Sequence, residues 1–507
     1  MIIKQKINVF LILSIFFLGC TQNVSEPQVA ASIEPENTKA PTILHKSPSL
    51  NLFVKTNDKM TLQLECNAKP DSEQQTVSYQ WYEGTPENSV VIAEANQETI
   101  IIKRPIQKGI FDYYCKVTGT IPENGDGGIK STEVICQFTA AFTGLPMVLI
   151  NTPKNREITS KEEWLEDATI SIKGATNDTW NFESVKTSIR GRGNTTWGQP
   201  KKPYAIKLNK KQKILGLPKH KRWVLIANYL DNSFMRNEMA FYFSETMGLG
   251  YTVHGKFIDL ILNGEYKGLY WLGEAIKIDE NRININEDED YLIEMDVGYD
   301  EIFKFRSEIK NLPYMIKNDD SMTTQKITTL KNKINDLETL LYSSSIPDES
   351  YTQIIDIDSW ARFWLTNELI SNGELGHPKS CYFTYETASD TFKAGPVWDF
   401  DWAALDCWSG CYTKNTIYYD ALFKSPAFVQ KIQEIWNSKS PDINIDSKIE
   451  EMRSELAIAA EYDAKLWGVN HNPASIYFNN FNGHVDYLKE ILNQKKSVIQ
   501  QEIANSQ

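Results

Sequence analysis

The spacing of apolar positions changes along the chain. Between residues 43 and 142 apolar and polar residues alternate: Leu50, Leu52 and Val54, then Leu62, Leu64 and Cys66, then Val77, Tyr79 and Trp81. Period two marks strands with one buried face, and Thr99 to Ile102 adds a β-branched run. From 143 to 507 the pattern is mixed and predicts one long α+β region, strand-rich first and helix-rich later. Strands are expected at Val148 to Asn151, Thr169 to Ile172, Ser188 to Gly191 and Tyr204 to Leu208. Asn263-Gly264 between the runs Phe257 to Leu262 and Gly268 to Leu272 predicts a β-hairpin, with Glu274 at its far end. Helical spacing follows Asp358-Ser359-Trp360 as far as Ile370. It returns at Ser425 to Trp436, at Asp446 to Trp467 and in the polar end Gln494 to Ile503. A region of this length predicts two lobes around a cleft.

The first residues obey neither period. Lys4 and Lys6 precede the apolar run Ile7 to Leu18, and Gly19-Cys20 follow. The run is shorter than the roughly 20 residues that span a bilayer, so 1–20 reads as a secretory leader. Phe17-Leu18-Gly19-Cys20 resembles a bacterial lipobox, with Phe17 where Leu is usual. That implies an acylated Cys20 as mature N-terminus; cleavage nearby with an unmodified Cys is the other reading. Residues 21–42 are polar and read as a solvated tether. The expectation is an exported protein, lipid-anchored to the cell envelope at the outer membrane, on a periplasmic or surface face.

Composition narrows this further. Lys plus Arg number 53 against 66 Asp plus Glu, a net charge of −13. That is a poor footprint for nucleic acid. Of seven cysteines, Cys20 set aside leaves six, in a compartment where disulfides persist. Cys407 and Cys411 read as a small disulfide loop. The six His make no zinc spacing, and no Gly-x-Ser-x-Gly elbow occurs.

Within 43–142, Cys66, Trp81 and Cys115 fall in register, with Tyr113 two residues before the last. This resembles an Ig-like sandwich, in which a Trp packs beside a disulfide joining the two sheets. The resemblance implies a Cys66–Cys115 bridge. Cys136, on the last strand, is either a free buried thiol or a competitor for a partner.

Four clusters carry polar chemistry. Ser188-Ile189-Arg190-Gly191-Arg192-Gly193-Asn194 runs from a strand into a Gly-rich turn and on to Lys201-Lys202-Pro203-Tyr204 and Lys207-Leu208. Glycines let backbone amides approach an anion, though the same string makes an ordinary tight turn. Asn228-Tyr229 with Asp231, Ser233 and Arg236-Asn237 reads as a capped helix start. Asn263-Gly264-Glu265-Tyr266 is the hairpin. Last come Asn367-Glu368, Glu374, Ser380 and Trp398-Asp399-Phe400-Asp401. Two carboxylates at i and i+2 share a face if the chain is extended. Oxygen ligands of that kind suit Mg²⁺, although acids can equally cap a following helix.

Taken in order, these strings resemble the spore-coat protein H (CotH) kinase family over about 146–470. The resemblance implies a multidomain chain: an all-β Ig-like sandwich at 43–142, then an α+β two-lobed atypical protein-kinase-like domain at 143–507. It implies ATP and Mg²⁺ as cofactors. Arg190, Gly191, Arg192, Gly193 and Asn194 would lie over the phosphates, and Lys207 would hold them. Glu274 would sit near the segment joining the lobes. Asp399, Asp401 and Ser380 would hold the metal, and Glu374 would stand at the catalytic position. The chain departs from the family there, since Asp and Asn are usual where Glu374 and Ser380 stand. Two functions therefore stay open, beside a weaker third, a purely architectural role in an envelope complex. One is phosphate transfer from ATP to Ser or Thr of a protein. The other is a catalytically silent surface protein that binds a protein or glycan. Oligomeric state is not legible.

Overall fold

The computed structural model describes residues 39–122, 129–318, 322–402, 404–405, 409–469 and 480–505. The expected leader, Cys20, most of the tether and Cys407 lie outside them.

The first unit is a two-sheet β-sandwich. Its strands are β1 (Thr42–Lys46), β2 (Leu50–Leu52), β3 (Val54–Thr56), β4 (Lys59–Lys69), β5 (Thr76–Thr85), β6 (Asn88–Val91), β7 (Thr99–Pro105), β8 (Gly109–Pro122) and β9 (Ile129–Phe142). β4 organises one sheet, with β1 and β3 at its two ends and β7 along its other edge. The other runs β2-β9-β8-β5-β6, with β2 parallel to β9. The alternation read from the sequence points Met60, Leu62, Leu64 and Cys66 inward against Trp81, Val117, Phe138 and Ala140. Trp81 is fully buried, and its indole N–H donates to the Gln97 carbonyl at 2.8 Å.

The cysteines depart from expectation. Cys66 and Cys115 are free thiols here, not a bridge. Cys136 stands directly opposite Cys115 in the β8–β9 register. Cys66 interacts with both, and the Cys115 thiol together with burial pushes it up to about 12. A sulfur with two competing neighbours has no unique partner. Cys411 is also a free thiol.

The second unit is a closed seven-stranded barrel. It comprises β10 (Met147–Asn151), β11 (Leu165–Lys173), β12 (Phe182–Gly191), β13 (Tyr204–Ile214), β14 (Leu217–Ile226), then, after helix α1 (Arg236–Met247), β15 (Gly255–Leu262) and β16 (Glu265–Glu274). The order is β10-β11-β12-β13-β14-β16-β15, closed by parallel pairing of β15 with β10. Alternate residues fill the interior, among them Ile189, Ile206, Leu208, Trp223, Leu225, Tyr270 and Leu272. Trp271 points the other way and packs on Phe241 of α1, ring centroids 5.4 Å apart. The β15–β16 hairpin turns on Asn263 and Gly264, both at positive φ.

The remainder adds β17 (Tyr291–Met295), β18 (Lys304–Arg306), β19 (Pro313–Ile316), α2 (Thr324–Tyr342), α3 (Ile357–Leu369), β20 (Cys381–Glu386), β21 (Thr391–Ala394), α4 (Tyr419–Leu422), α5 (Pro426–Lys439), α6 (Ile445–Trp467) and α7 (Phe481–Asn505). The five-stranded sheet β18-β19-β17-β20-β21 sits inside the half read from sequence as helix-rich. α3 lies at the centre, burying Trp360, Phe363, Trp364 and Leu365. It starts where the Asp356 carboxylate accepts the Asp358 and Ser359 amides. Among the described residues no helix is long and apolar enough to cross a membrane.

Sandwich, barrel and α6 meet at Tyr462. Its hydroxyl accepts from Asn51 N at 2.7 Å and faces the carbonyls of Asn51 and Thr139. Its ring packs on Tyr266, and Leu52, Ala141 and Met147 complete the contact.

Candidate functional site

Between the barrel and the α+β half lie two adjoining cavities of about 320 and 640 Å³. Arg190, Arg192, Glu301, Lys317, Tyr382 and Trp398 border both.

One wall of the smaller cavity is the end of β12 and the turn after it, Arg190 to Thr196. The glycines are sterically required. A Cβ on Gly191 would come 2.4 Å from the Trp197 ring, and Gly193, at φ +79°, would place one 2.2 Å from Thr196 Oγ1. The turn is tied down by Gly191 N to the Ser160 carbonyl (2.8 Å) and Arg192 N to the Pro203 carbonyl (3.2 Å).

The opposite wall brings together Glu374, Ser380, Asp399 and Asp401, far apart in sequence. Asp399 is not extended, as the i, i+2 argument assumed, but left-handed at φ 67°. Ser380 (φ 53°) and Ser371 (φ 55°) share that sparsely populated region. Even so the two carboxylates are neighbours. Burial first, then Asp399 and Asp231, push Asp401 well above the usual carboxylate range, with Arg192 opposing. Asp401 Oδ1 is buried without a hydrogen-bond partner. Ser380 Oγ lies 3.5 Å from Asp399 Oδ2.

The other polar strings hold this wall in place. Phe400 N donates to Asn237 Oδ1 (2.9 Å), and the Asn237 amide donates to Asn228 Oδ1 (3.2 Å). Asp231 accepts from Ser233 N and Arg236 N, but the residue at the N-cap of α1 is Met235, which offers no side-chain cap, in place of the expected Asp231 or Ser233. Asn372 donates its amide to Asn367 Oδ1 and accepts from Glu374 N, which sets the loop after α3. Glu368 turns away to a buried ion pair with Lys495 of α7.

Two expected residues sit elsewhere. Lys207 is exposed on the outer face of β13 and lines neither cavity, because its inward neighbours Ile206 and Leu208 fill the barrel. Glu274 is buried behind the site, accepting from Tyr251 Oη (2.8 Å) and His254 N (3.1 Å). The residues just after it, Ala275, Ile276 and Lys277, line the larger cavity beside Val224, Leu292, Phe303 and Ile316.

Sequence reasoning missed Glu294 and Asp296 of the β17 segment and Lys317 after β19, all lining the smaller cavity. Lys317 Nζ pairs with Glu294 at 3.0 Å and also with Glu301. Asp296 Oδ2 accepts the Ser380 amide at 3.2 Å. A signal existed: Glu294 in the otherwise apolar strand Tyr291–Met295 and Asp296 just after it are two apart, one polar face at the end of a buried strand.

A barrel bearing a glycine-rich turn, set across an acid-lined cleft from a helix-and-sheet half, defines an α+β protein with a polar cleft between its parts. The sequence model of one family, described as CotH kinase protein, matches residues 189–499. The chain belongs to that family. No curated protein matches it. The match starts at Ile189, so the sandwich, β10, β11 and most of β12 precede it.

Proposed function

We propose that the protein is an exported, lipid-anchored atypical protein kinase that moves phosphate from ATP to Ser or Thr of a protein. The observation that carries this reading is the Asp399–Asp401 pair facing the Gly191–Gly193 turn across one cavity, with a buried Asp401 oxygen lacking any partner. An orphaned carboxylate oxygen is costly unless a cation or proton meets it. Among the described residues no three His, Cys, Asp or Glu side chains converge on a metal. Mg²⁺ is ordinarily held by one or two carboxylates plus substrate phosphate oxygens, so the donors present fit it. Asp399 and Asp401 would hold the ion, with Ser380 beside them, and bound Mg²⁺ would neutralise charge on the phosphates. Arg190, Arg192 and the turn amides would orient the phosphate chain. The apolar residues of the larger cavity would take the nucleoside, with Ala275 to Lys277 along its edge.

Glu374 lines the same cavity as Asp399 and is 3% exposed. That position supports an acid–base role for it toward an incoming hydroxyl, despite the longer side chain, over the silent-scaffold reading. The Ig-like assignment of the sandwich rests on β1 pairing with β4, β2 lying parallel to β9, and Trp81 of β5 fully buried in the core that both sheets share. Export and the Cys20 anchor rest on the leader sequence alone. In this reading the partners are a protein substrate and the membrane that holds the anchor.

Titration of Mg-ATP into the chain and its Asp399→Asn variant tests the site. Asn tolerates left-handed backbone as Asp does, so the variant keeps its thermal midpoint within a few degrees. Binding in the parent that is lost in the variant is the expected result. Equal binding in both removes Asp399 from the metal site, and no binding in the parent refutes the nucleotide reading.

A further inference from the structure

With Lys207 outside the cleft, a lysine that meets the phosphates alongside Arg190 and Arg192 has to come from elsewhere. Five described cationic side chains line the smaller cavity: Lys379, next to Ser380 on the acidic wall, Lys161, and three that also hold other groups. Lys317 is shared between Glu294 and Glu301. Arg190 donates to the Glu162 carbonyl at 3.0 Å and stacks on Trp164. Arg192 lies 5.3 Å over the Trp398 ring.

Lys161 differs. It comes from the loop before β11, outside the segment that matches the family. Its side chain is 34% exposed and lines the cavity that holds Asp399 and Asp401. Nζ donates to Asn194 Oδ1 of the glycine-rich turn at 2.6 Å. Its acidic neighbour Glu162 is 3.9 Å away and 77% exposed, a pair that solvent screens and that leaves most of the charge available.

The loop is built to hold this position. Ser160 Oγ accepts the amides of Glu162 and Glu163, and the Ser160 carbonyl accepts Gly191 N. Trp164 is gripped by two guanidiniums, Arg190 and Arg222, each 4.8 Å from its ring centroid. The backbone on both sides of Lys161 is thus strapped to β12, next to the turn itself.

We propose that Lys161 is a specificity-determining residue that meets the polyphosphate of a bound nucleoside triphosphate, so that the segment ahead of the family match completes the cleft. This rests on the nucleotide reading above. An ammonium on one wall and two carboxylates on the other leave, between them, the charge pattern of a phosphate chain carrying a divalent cation.

The test titrates Mg-ATP and adenosine separately into the full chain and into Lys161→Met, Lys161→Arg and Asn194→Ala. Loss of one charge-assisted contact is expected to weaken Mg-ATP by about tenfold or more in Lys161→Met. Adenosine binding should not change, and Lys161→Arg should restore most of the Mg-ATP affinity. Undiminished Mg-ATP binding by Lys161→Met overturns the proposal while leaving the nucleotide reading intact. So does an equal loss in Asn194→Ala with no rescue by Arg, which would make Lys161 a tether for the turn. A parent that binds neither probe removes the nucleotide reading and this proposal with it.

Discussion

At the scale of single residues, charge in this protein separates into groups that face the cleft and groups that hold the frame. Lys201 belongs by sequence to the basic string after the glycine-rich turn. The structure instead buries it completely, 2.6 Å from Asp463 Oδ1 of α6 and 2.6 Å from the Leu269 carbonyl. Burial pulls its ammonium down from the usual range while Asp463 holds it up. Removing one partner strands a buried charge, so Asp463→Asn should cost about 3–5 kcal/mol. Urea unfolding measures this, and the double change Lys201→Met/Asp463→Leu should recover part of the loss. Recovery in the double variant separates a stranded charge from lost packing. The spacing of basic residues alone could not distinguish Lys201 from Lys161; depth decided it.

At the scale of elements, the strands and caps were largely legible. Period-two alternation located β4, β5, β11 and β13, and Asn263-Gly264 located the hairpin. Asp356, Ser425 and Asn444 cap α3, α5 and α6 close to where the helical spacing begins. The extended reading of Asp399 failed: its φ is 67°, and the next amide, Phe400 N, bonds to Asn237, a partner 163 residues away that local pattern does not reveal. The glycine-rich turn gives an element-level prediction. Gly193→Ala places a methyl against Thr196 at a positive φ, which should strain the turn by about 1 kcal/mol or more. The thermal midpoint should then fall by a few degrees while Mg-ATP affinity drops severalfold. Unchanged affinity would show that the turn does not touch the ligand.

At the scale of the molecule, the sandwich is seated on the barrel, not strung beside it. Asp259 of β15 lies at this seat, 1% exposed, receiving hydrogen bonds from Thr143 Oγ1 and Tyr266 Oη. Burial raises it from 3.8 to about 7; those hydrogen bonds and Lys201 oppose the shift, and Asp463 adds to it. A folded pKa above the unfolded value means the native state holds the proton more tightly. Its contribution is complete below about pH 4 and lost as pH rises through about 7. The parent should lose on the order of a few kcal/mol of unfolding free energy across that window relative to Asp259→Asn. Denaturation at pH 5 and pH 8 reads the difference; identical slopes would mean Asp259 stays ionised throughout.

The sequence by itself determined the local features: the alternating strands, the capped helices, the hairpin and the family strings, because periodicity and turn chemistry act over a few residues. It also carried the leader and lipobox reading. Closure of the barrel, the backbone turn at Asp399, the free state of Cys66 and Cys115, and the placing of Lys161 at the cleft and Lys207 outside it were decided only by tertiary structure. Each depends on which face of an element meets a partner far along the chain. A strand inverts every side chain with a shift of one residue, so its neighbours, and not its own pattern, settle what reaches the site.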